Sequence, residues 1–145
     1  MNYGLILAGG TGQRMRSSGM PKQFLKVYGK PIIIYTLEKF NTCHEIDAIV
    51  ISCNAQYIDY MNELIKQFPF AKPIHVIAGG KDRQGSILNG INFIYDNDGV
   101  GDDIIVIHDG VRPLIERDII SENIRVASKK GCAMTVKPVI ESVVI

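Results

Sequence analysis

The alternation of short apolar runs with amphipathic stretches is the feature that most restricts how this 145-residue chain can fold. Apolar runs typical of buried strands occupy Tyr3–Ala8, Ile46–Cys53, Ile74–Ala78 and Asp102–Ile107. Stretches with apolar residues at helical spacing occupy residues 31–40, 55–68, 86–95 and 117–128. Such an alternation indicates βαβ units in a parallel sheet covered by helices. The β-prone runs at 132–136 and 139–145 predict two more strands, and the length predicts a single domain over residues 1–145.

Composition excludes several classes of protein. A net charge of +1, with 46% hydrophobic and 21% charged residues, is ordinary for a globular protein and argues against nucleic acid as the partner. No run of 18 apolar residues and no basic leader is visible, so neither a membrane span nor a secretory signal is expected. Three widely spaced cysteines without a CxxC pair argue against disulfides or zinc and favour the reducing cytoplasm, where they would be small buried residues.

The first strand-like run ends in a glycine-rich, basic segment, LAGGTGQRM followed by PKQFL. Residues 1–37 contain five basic side chains and no acid, whereas the remainder has 11 basic and 15 acidic side chains. Glycines let the backbone approach a ligand closely, and successive N–H groups can surround phosphate oxygens. Arg14 and Lys22 add positive charge, which is what transfer at a phosphorus atom requires. The segment therefore predicts a polyanionic small ligand, although it matches neither the P-loop nor the full GxGxxG pattern.

Two more strand-like runs end in unusual residues, GGKDRQGS at 79–86 and HDGVRP at 108–113. Parallel strands present their carboxyl ends on one edge of the sheet, so all three segments should converge. Ser86 is interpreted either as an N-cap or first-turn residue or as a reader of a base edge, and Arg83 either as an anion contact or as a partner of Asp82. Asp109, after a strand expected to be buried on both sides, would hold Mg²⁺ or a ribose hydroxyl, or serve only as a turn former. Arg112 would pair with Asp109 or hold a substrate phosphate.

Together these segments are similar to those of a known enzyme family. LAGGTGQRM (7–15), PKQFL (21–25), KPIIIYTLEKF (30–40), GGKDRQGSILNGI (79–91) and HDGVRP (108–113) appear in family order. The chain resembles the cytidylyltransferases that act on 2-C-methyl-D-erythritol 4-phosphate and on D-ribitol 5-phosphate. GGTG, PKQFL and the Val111 before Arg112 are more similar to the ribitol-phosphate branch.

The resemblance implies a Rossmann-like, three-layer nucleotidyltransferase fold with a mostly parallel sheet. It also implies Mg²⁺, CTP, and a polyol phosphate that attacks the α-phosphorus of CTP and releases pyrophosphate. Arg14 and Lys22 would be the catalytic residues that hold the triphosphate. The nucleotide would be bound by Leu7, Ala8, Gly9, Gly10, Gly12, Gly79, Gly80, Arg83, Ser86 and Gly110. Asp109 would bind the metal, and Arg112 and Ser142 would bind the acceptor.

The end of the chain departs from the family pattern. Glu141-Ser142 stands where the family usually has Asp-Thr, although Ser142 keeps a hydroxyl. Relatives continue past this point with an arm that forms a homodimer and closes the acceptor site, so the chain is expected to be incomplete at its C-terminus. Three alternatives stay open: the methylerythritol-phosphate enzyme, an inactive nucleotide-binding fragment, and a sugar-1-phosphate or guanylyl transferase with the same first loop.

Overall fold

The fold is a single parallel sheet between helices, seen in a computed structural model that describes residues 1–10, 19–97 and 101–138. The strands within these ranges are β1 (Asn2–Ala8), β2 (Lys26–Val27), β3 (Lys30–Pro31), β4 (Ala48–Cys53), β5 (Ile74–Ala78) and β6 (Ile104–Asp109). The α-helices are α1 (Ile32–Asn41), α2 (Ile58–Ile65), α3 (Arg83–Asn97) and α4 (Arg117–Lys130). Short 3₁₀ turns at Lys22–Phe24 and Ala55–Tyr57 precede β2 and α2. β2 and β3 form a small hairpin that the sequence pattern did not predict.

The order of the strands defines where a ligand can enter. Four strands form a parallel sheet in the order β5-β4-β1-β6, with β1 paired to β4 on one side and to β6 on the other. The chain therefore builds outward from β1 in one direction and then crosses back to add β6 on the opposite side. Such a reversal creates a crevice at the carboxyl ends of the two strands on either side of it, here β1 and β6.

Helices cover both faces of the sheet, which confirms the three-layer, Rossmann-like α/β fold. On one face, alternate residues of β1 and β4 pack with α1, α2 and α4 in a core that includes Ile6, Phe40 and Met61. On the other face, Leu5 and Val50 pack with Ile94 of α3. The central strands β1 and β4 are apolar along their length and bury both faces, because successive side chains point to opposite sides of the sheet, whereas each helix buries a single apolar stripe.

Helix α3 lies unusually close to the central strand at Gly90. A Cβ atom built at this position would lie 2.4 Å from Cδ1 of the fully buried Leu5, so a larger residue would displace either the Leu5 side chain or the helix. Since the first turn of α3 forms part of the crevice described below, the glycine helps to set the distance between that turn and the end of β1.

Several boundaries and one element differ from the predictions. Residues 132–136 were predicted as a strand, but they form none, and Met134 and Val136 are exposed. The prediction was wrong because β propensity needs a paired strand beside it, and in the described chain this run has none. The predicted strand at 139–145 lies outside the described residues. The helix predicted over 55–68 is a 3₁₀ turn followed by the shorter α2.

Two predictions about burial also need correction. Strand β6 was expected to be buried on both sides, yet most of its residues are only half-buried because it forms an edge of the sheet. Cys43 and Cys53 are buried as predicted, and burial raises the pKa of the Cys53 thiol to about 11. Cys132 is exposed because it follows α4 in the irregular segment. No helix in the described ranges is both long and apolar enough to cross a bilayer.

Candidate active site

A cavity of about 480 Å³ opens at the carboxyl ends of β1 and β6, at the crevice defined by the strand order. Its wall is formed by residues 7–10 at the end of β1, by Lys22 and Gln23 in the following 3₁₀ turn, and by residues 80–83 with Ser86 before and within α3. Asp109 and Val111 complete it from the end of β6. All three segments that the sequence analysis selected thus meet at one edge of the sheet.

Ser86 joins the first two segments. A Cβ atom on Gly9 would lie 3.6 Å from the Ser86 Oγ, so the two backbones approach closely there. The Ser86 hydroxyl donates to the carbonyl oxygen of Asp82 at 2.8 Å and accepts the Gly80 N–H at 3.1 Å. Ser86 lies in the first turn of α3 and not at its N-cap. The helix begins at Arg83, three residues before Ser86, and Asp82 precedes it and accepts the Gly85 N–H through Oδ1.

Asp109 joins the second and third segments through two arginines. Its Oδ1 accepts from Nη1 of Arg83 at 2.5 Å and its Oδ2 from Nε of Arg112 at 2.8 Å. Arg83 therefore pairs with Asp109 and not with Asp82, whose Oδ1 is used at the start of α3. Partial burial alone raises the pKa of Asp109, but the hydrogen bonds and charges of the two arginines outweigh it and lower the pKa below its usual value. The carboxylate is consequently ionised at neutral pH.

We predict that Asp109→Asn lowers the free energy of unfolding by about 0.5–1 kcal/mol at pH 7, since both arginines are exposed and each contact is weak. The pKa of Asp109 is lower in the folded state, so its stabilisation is present above the unfolded value of about 3.9 and is lost as pH falls through the folded value. Urea denaturation of both proteins between pH 7 and pH 3 measures this. A stability difference that stays constant across that range would contradict the ion-pair assignment.

The charges around the cavity favour an anionic ligand. Lys22, Lys81 and Arg83 line it together with Asp82 and Asp109. Both carboxylates already have partners within the protein, so the lysine side chains remain to attract phosphate oxygens. Lys81 and Asp82 were not selected from the sequence. Their position directly after the Gly79-Gly80 pair, at a strand end, is the signal that could have identified them.

The structure places the other predicted residues as follows. Gly79 lies just behind the cavity, and its N–H donates to the carbonyl oxygen of Cys53 at 2.6 Å. Gly110 is buried below it, and its N–H donates to the carbonyl oxygen of Leu7 at 2.9 Å. Arg112 lines a second, larger cavity of about 910 Å³ along the side of β6 that faces away from β1. The predictions for Gly12, Arg14 and Ser142 fall outside the described residues.

The Asp109 carboxylate fits a magnesium site in which the phosphates of a bound nucleotide supply the other ligands. No group of three or more His, Cys, Asp or Glu side chains that could hold a metal is present in the described ranges. Mg²⁺ is commonly held by one or two carboxylates together with substrate phosphates, and an ionised Asp109 at the mouth of a basic cavity satisfies that requirement. A cation there would replace at least one of the arginine contacts.

This arrangement defines the class of the protein as a Rossmann-like α/β domain. Its glycine-lined, basic crevice lies at the switch point, where the strand order reverses, and this is the architecture of nucleotide-binding domains. The family model described as "IspD: 2-C-methyl-D-erythritol 4-phosphate cytidylyltransferase" matches residues 3–145. The chain belongs to this family.

Relatives and solved structures agree with the assignment. The chain is 43% identical over 145 residues to a ribitol-5-phosphate cytidylyltransferase of Streptococcus agalactiae and 47% identical over 148 residues to one of Vibrio parahaemolyticus. In both cases it is covered completely and spans 60% of the relative's length.

Among solved structures, 2-C-methyl-D-erythritol 4-phosphate cytidylyltransferase of Francisella tularensis matches with a TM-score of 0.69 and 28% identity. That match covers 99% of this chain and 64% of the other. A synthase of 4-diphosphocytidyl-2C-methyl-D-erythritol from Anaerococcus prevotii shares the fold at 22% identity, with a TM-score of 0.69 over 88% of this chain and 51% of its own.

Proposed function

We propose that this protein transfers CMP from CTP to D-ribitol 5-phosphate and releases pyrophosphate. The observation that carries the proposal is the cavity at the switch point, where a glycine-lined strand end lies beside Lys22, Lys81 and Arg83. The names and the 43–47% identity of the two curated relatives favour ribitol phosphate as the acceptor. The family model favours methylerythritol phosphate, which is the second candidate.

The reaction needs charge neutralisation more than acid–base chemistry. A phosphate oxygen of the acceptor attacks the α-phosphorus of CTP in line, and the bond from that phosphorus to the bridging oxygen of the β-phosphate breaks. Lys22, together with Arg14 outside the described residues, would neutralise the triphosphate and the leaving pyrophosphate. The N–H groups of the residues from Leu7 to Gly10 would approach the phosphates and ribose, and Arg112 and Ser142 would hold the acceptor.

The hydrogen bonds of Ser86 favour cytosine over uracil. Its single hydroxyl proton is given to Asp82, and one of its two lone pairs accepts the Gly80 N–H. The remaining lone pair can accept from the amino group of cytosine, whereas the corresponding carbonyl oxygen of uracil would find no donor there. Gly79 and Gly80 would leave room for the base beside this hydroxyl, and Gly110 would hold the β6 end against β1.

Mg²⁺ would be held by Asp109 and the phosphates of CTP, where it would add positive charge beside the leaving group. We further propose a homodimer, as the resemblance implies, and a location in the cytoplasm. The free cysteines of the described chain are in accord with a reducing compartment.

The test is pyrophosphate release by the protein as its gene encodes it, with CTP and either acceptor in separate reactions. We expect turnover with D-ribitol 5-phosphate, and at most a minor rate with 2-C-methyl-D-erythritol 4-phosphate. A thermal-shift panel with CTP, UTP, ATP and GTP should show the largest shift for CTP. Stabilisation by CTP without turnover of either acceptor would favour an inactive nucleotide-binding protein. A larger shift with GTP or UTP would favour a sugar-1-phosphate or guanylyl transferase.

A further inference from the structure

Buried polar side chains are few in the described chain, and each of them is hydrogen-bonded to a backbone segment of the candidate active site. Besides Ser86, they are Gln23, Thr36 and Ser52, each no more than 2% exposed, and of these three only Gln23 also lines the cavity. Placing a polar group in a core destabilises the fold unless it is fully hydrogen-bonded, so such residues need a reason to be there. Each of the three donates to the backbone of a different segment of the candidate active site.

Gln23 holds the glycine-rich segment. It lies in the 3₁₀ turn after that segment, and its side-chain amide donates to the carbonyl oxygens of Ala8 at 2.8 Å and Gly10 at 3.3 Å. The amide nitrogen of Gln23 is therefore bonded both to the last residue of β1 and to the second glycine. These two hydrogen bonds fix the carbonyl oxygens of Ala8 and Gly10, and they therefore hold the backbone of residues 8–10, which lines the cavity.

Thr36 and Ser52 hold the other two segments. The Thr36 hydroxyl, on the buried face of α1, donates to the carbonyl oxygen of Gly110 at 2.9 Å, directly after Asp109. The Ser52 hydroxyl, near the end of β4, donates to the carbonyl oxygen of Ser86 at 3.1 Å. Both contacts reach across the fold between residues far apart in sequence, and each ends on a segment that the cavity requires.

We propose that Gln23, Thr36 and Ser52 are positioning residues, which hold the three strand-end segments in the relative placement needed for nucleotidyl transfer. This inference rests on the proposed function. None of the three would need to touch the reacting atoms, because their effect passes through the backbone of the segments that do. Alignment errors of this kind are costly, since a displacement of about 1 Å can lower a rate on the order of 100-fold.

The test replaces each residue by an apolar one of similar shape, Gln23→Met, Thr36→Val and Ser52→Ala, in the protein as its gene encodes it. We expect kcat with CTP and the acceptor to fall about 10–100-fold, with the KM for CTP changed less, because alignment in the transition state is lost. Thr36→Ser, which keeps the hydroxyl, should restore most of the rate. Amide exchange should accelerate at Gly110 in Thr36→Val and at Gly80 in Ser52→Ala.

Asn41→Leu is the matched control. The Asn41 side chain also bonds two backbone groups, the N–H groups of Ala71 and Lys72, but it lies at the end of α1, and those groups precede β5 at the opposite edge of the sheet. We expect this variant to lose a few degrees of melting temperature, as the three test variants do, and to keep its kcat.

The possible results separate the two proposals. Normal kcat in the three variants, with losses of melting temperature equal to that of the control, would show that the hydrogen bonds are only structural. If the unaltered protein turns over neither acceptor, the proposed function fails, and the exchange measurement then decides. Faster exchange confined to the cavity segments, together with a smaller CTP-induced thermal shift, would still support positioning, and unchanged exchange would overturn it.

Discussion

Lys22→Met should lower kcat for pyrophosphate release by about 10²–10³-fold, the loss typical of removing one preorganised charge-stabilising group. Lys22 lines the cavity at the end of β1 and is exposed, so its ammonium group can reach phosphate oxygens without a rearrangement of the core. Methionine keeps most of the aliphatic stem and removes only the charge. Because negative charge grows on the leaving pyrophosphate in the transition state, kcat should fall more than the affinity for CTP.

Lys26→Met is the matched control for this change. Lys26 is four residues further along, exposed on β2, and is not among the residues that line the cavity. Both variants should keep a free energy of unfolding within about 0.5 kcal/mol of the original, as exposed substitutions usually do. Equal rates for the Lys22 and Lys26 variants in a steady-state assay would remove Lys22 from the catalytic set.

Gly80→Ala should combine a large loss of CTP binding with a measurable loss of stability. A Cβ atom at this position would lie 2.3 Å from the carbonyl carbon and 2.6 Å from the Cα of Gly85, and these atoms belong to the backbone of the first turn of α3. A side chain could rotate away, but a helix backbone cannot. The turn would have to move away from Gly80, and the hydrogen bond from the Gly80 N–H to Ser86 would be lost with it.

Overpacking of this kind costs about 1–3 kcal/mol, and the displaced Ser86 should weaken CTP binding about tenfold or more. Isothermal titration with CTP and urea denaturation measure the two effects. Gly101→Ala is the control, because a Cβ atom there meets nothing within 4 Å and the residue lies in an exposed turn before β6. If Gly80→Ala binds CTP as tightly as Gly101→Ala does, the close approach at Gly80 is not needed for binding.

The sequence was most informative where a local pattern carries the physics. Short apolar runs predicted the four parallel strands and period-3.6 apolar spacing predicted the four main helices, because the burial of each element follows from its own local pattern. The same pattern predicted that the segments 9–22, 79–86 and 108–113 would meet, since the ends of parallel strands share an edge, and the described parts of all three line one cavity. It failed at 132–136, where strand formation depends on a partner that the pattern does not contain.

Residue types and spacing also identified Lys22, Arg83, Ser86 and Asp109, which the fold brings to one cavity. Their contacts were not predictable to the same degree. Arg83 was adjacent in sequence to Asp82, yet it pairs with Asp109, 26 residues away, because Asp82 is engaged at the start of α3. Three buried polar residues, Gln23, Thr36 and Ser52, were not selected, although a polar residue at a position that the spacing predicts to be buried is a usable signal.

By itself, therefore, the sequence determined the layered α/β fold, the family, and the residue types at the strand ends, because these follow from local periodicity and from short motifs. Only the tertiary structure decided which groups are joined across the site. The hydroxyl of Thr36 meets the carbonyl oxygen of Gly110 across 74 residues of sequence, and two arginines meet at Asp109. Hydrogen bonds and ion pairs act over about 3 Å in space, and the distance between two such groups depends on the packing of every layer between them.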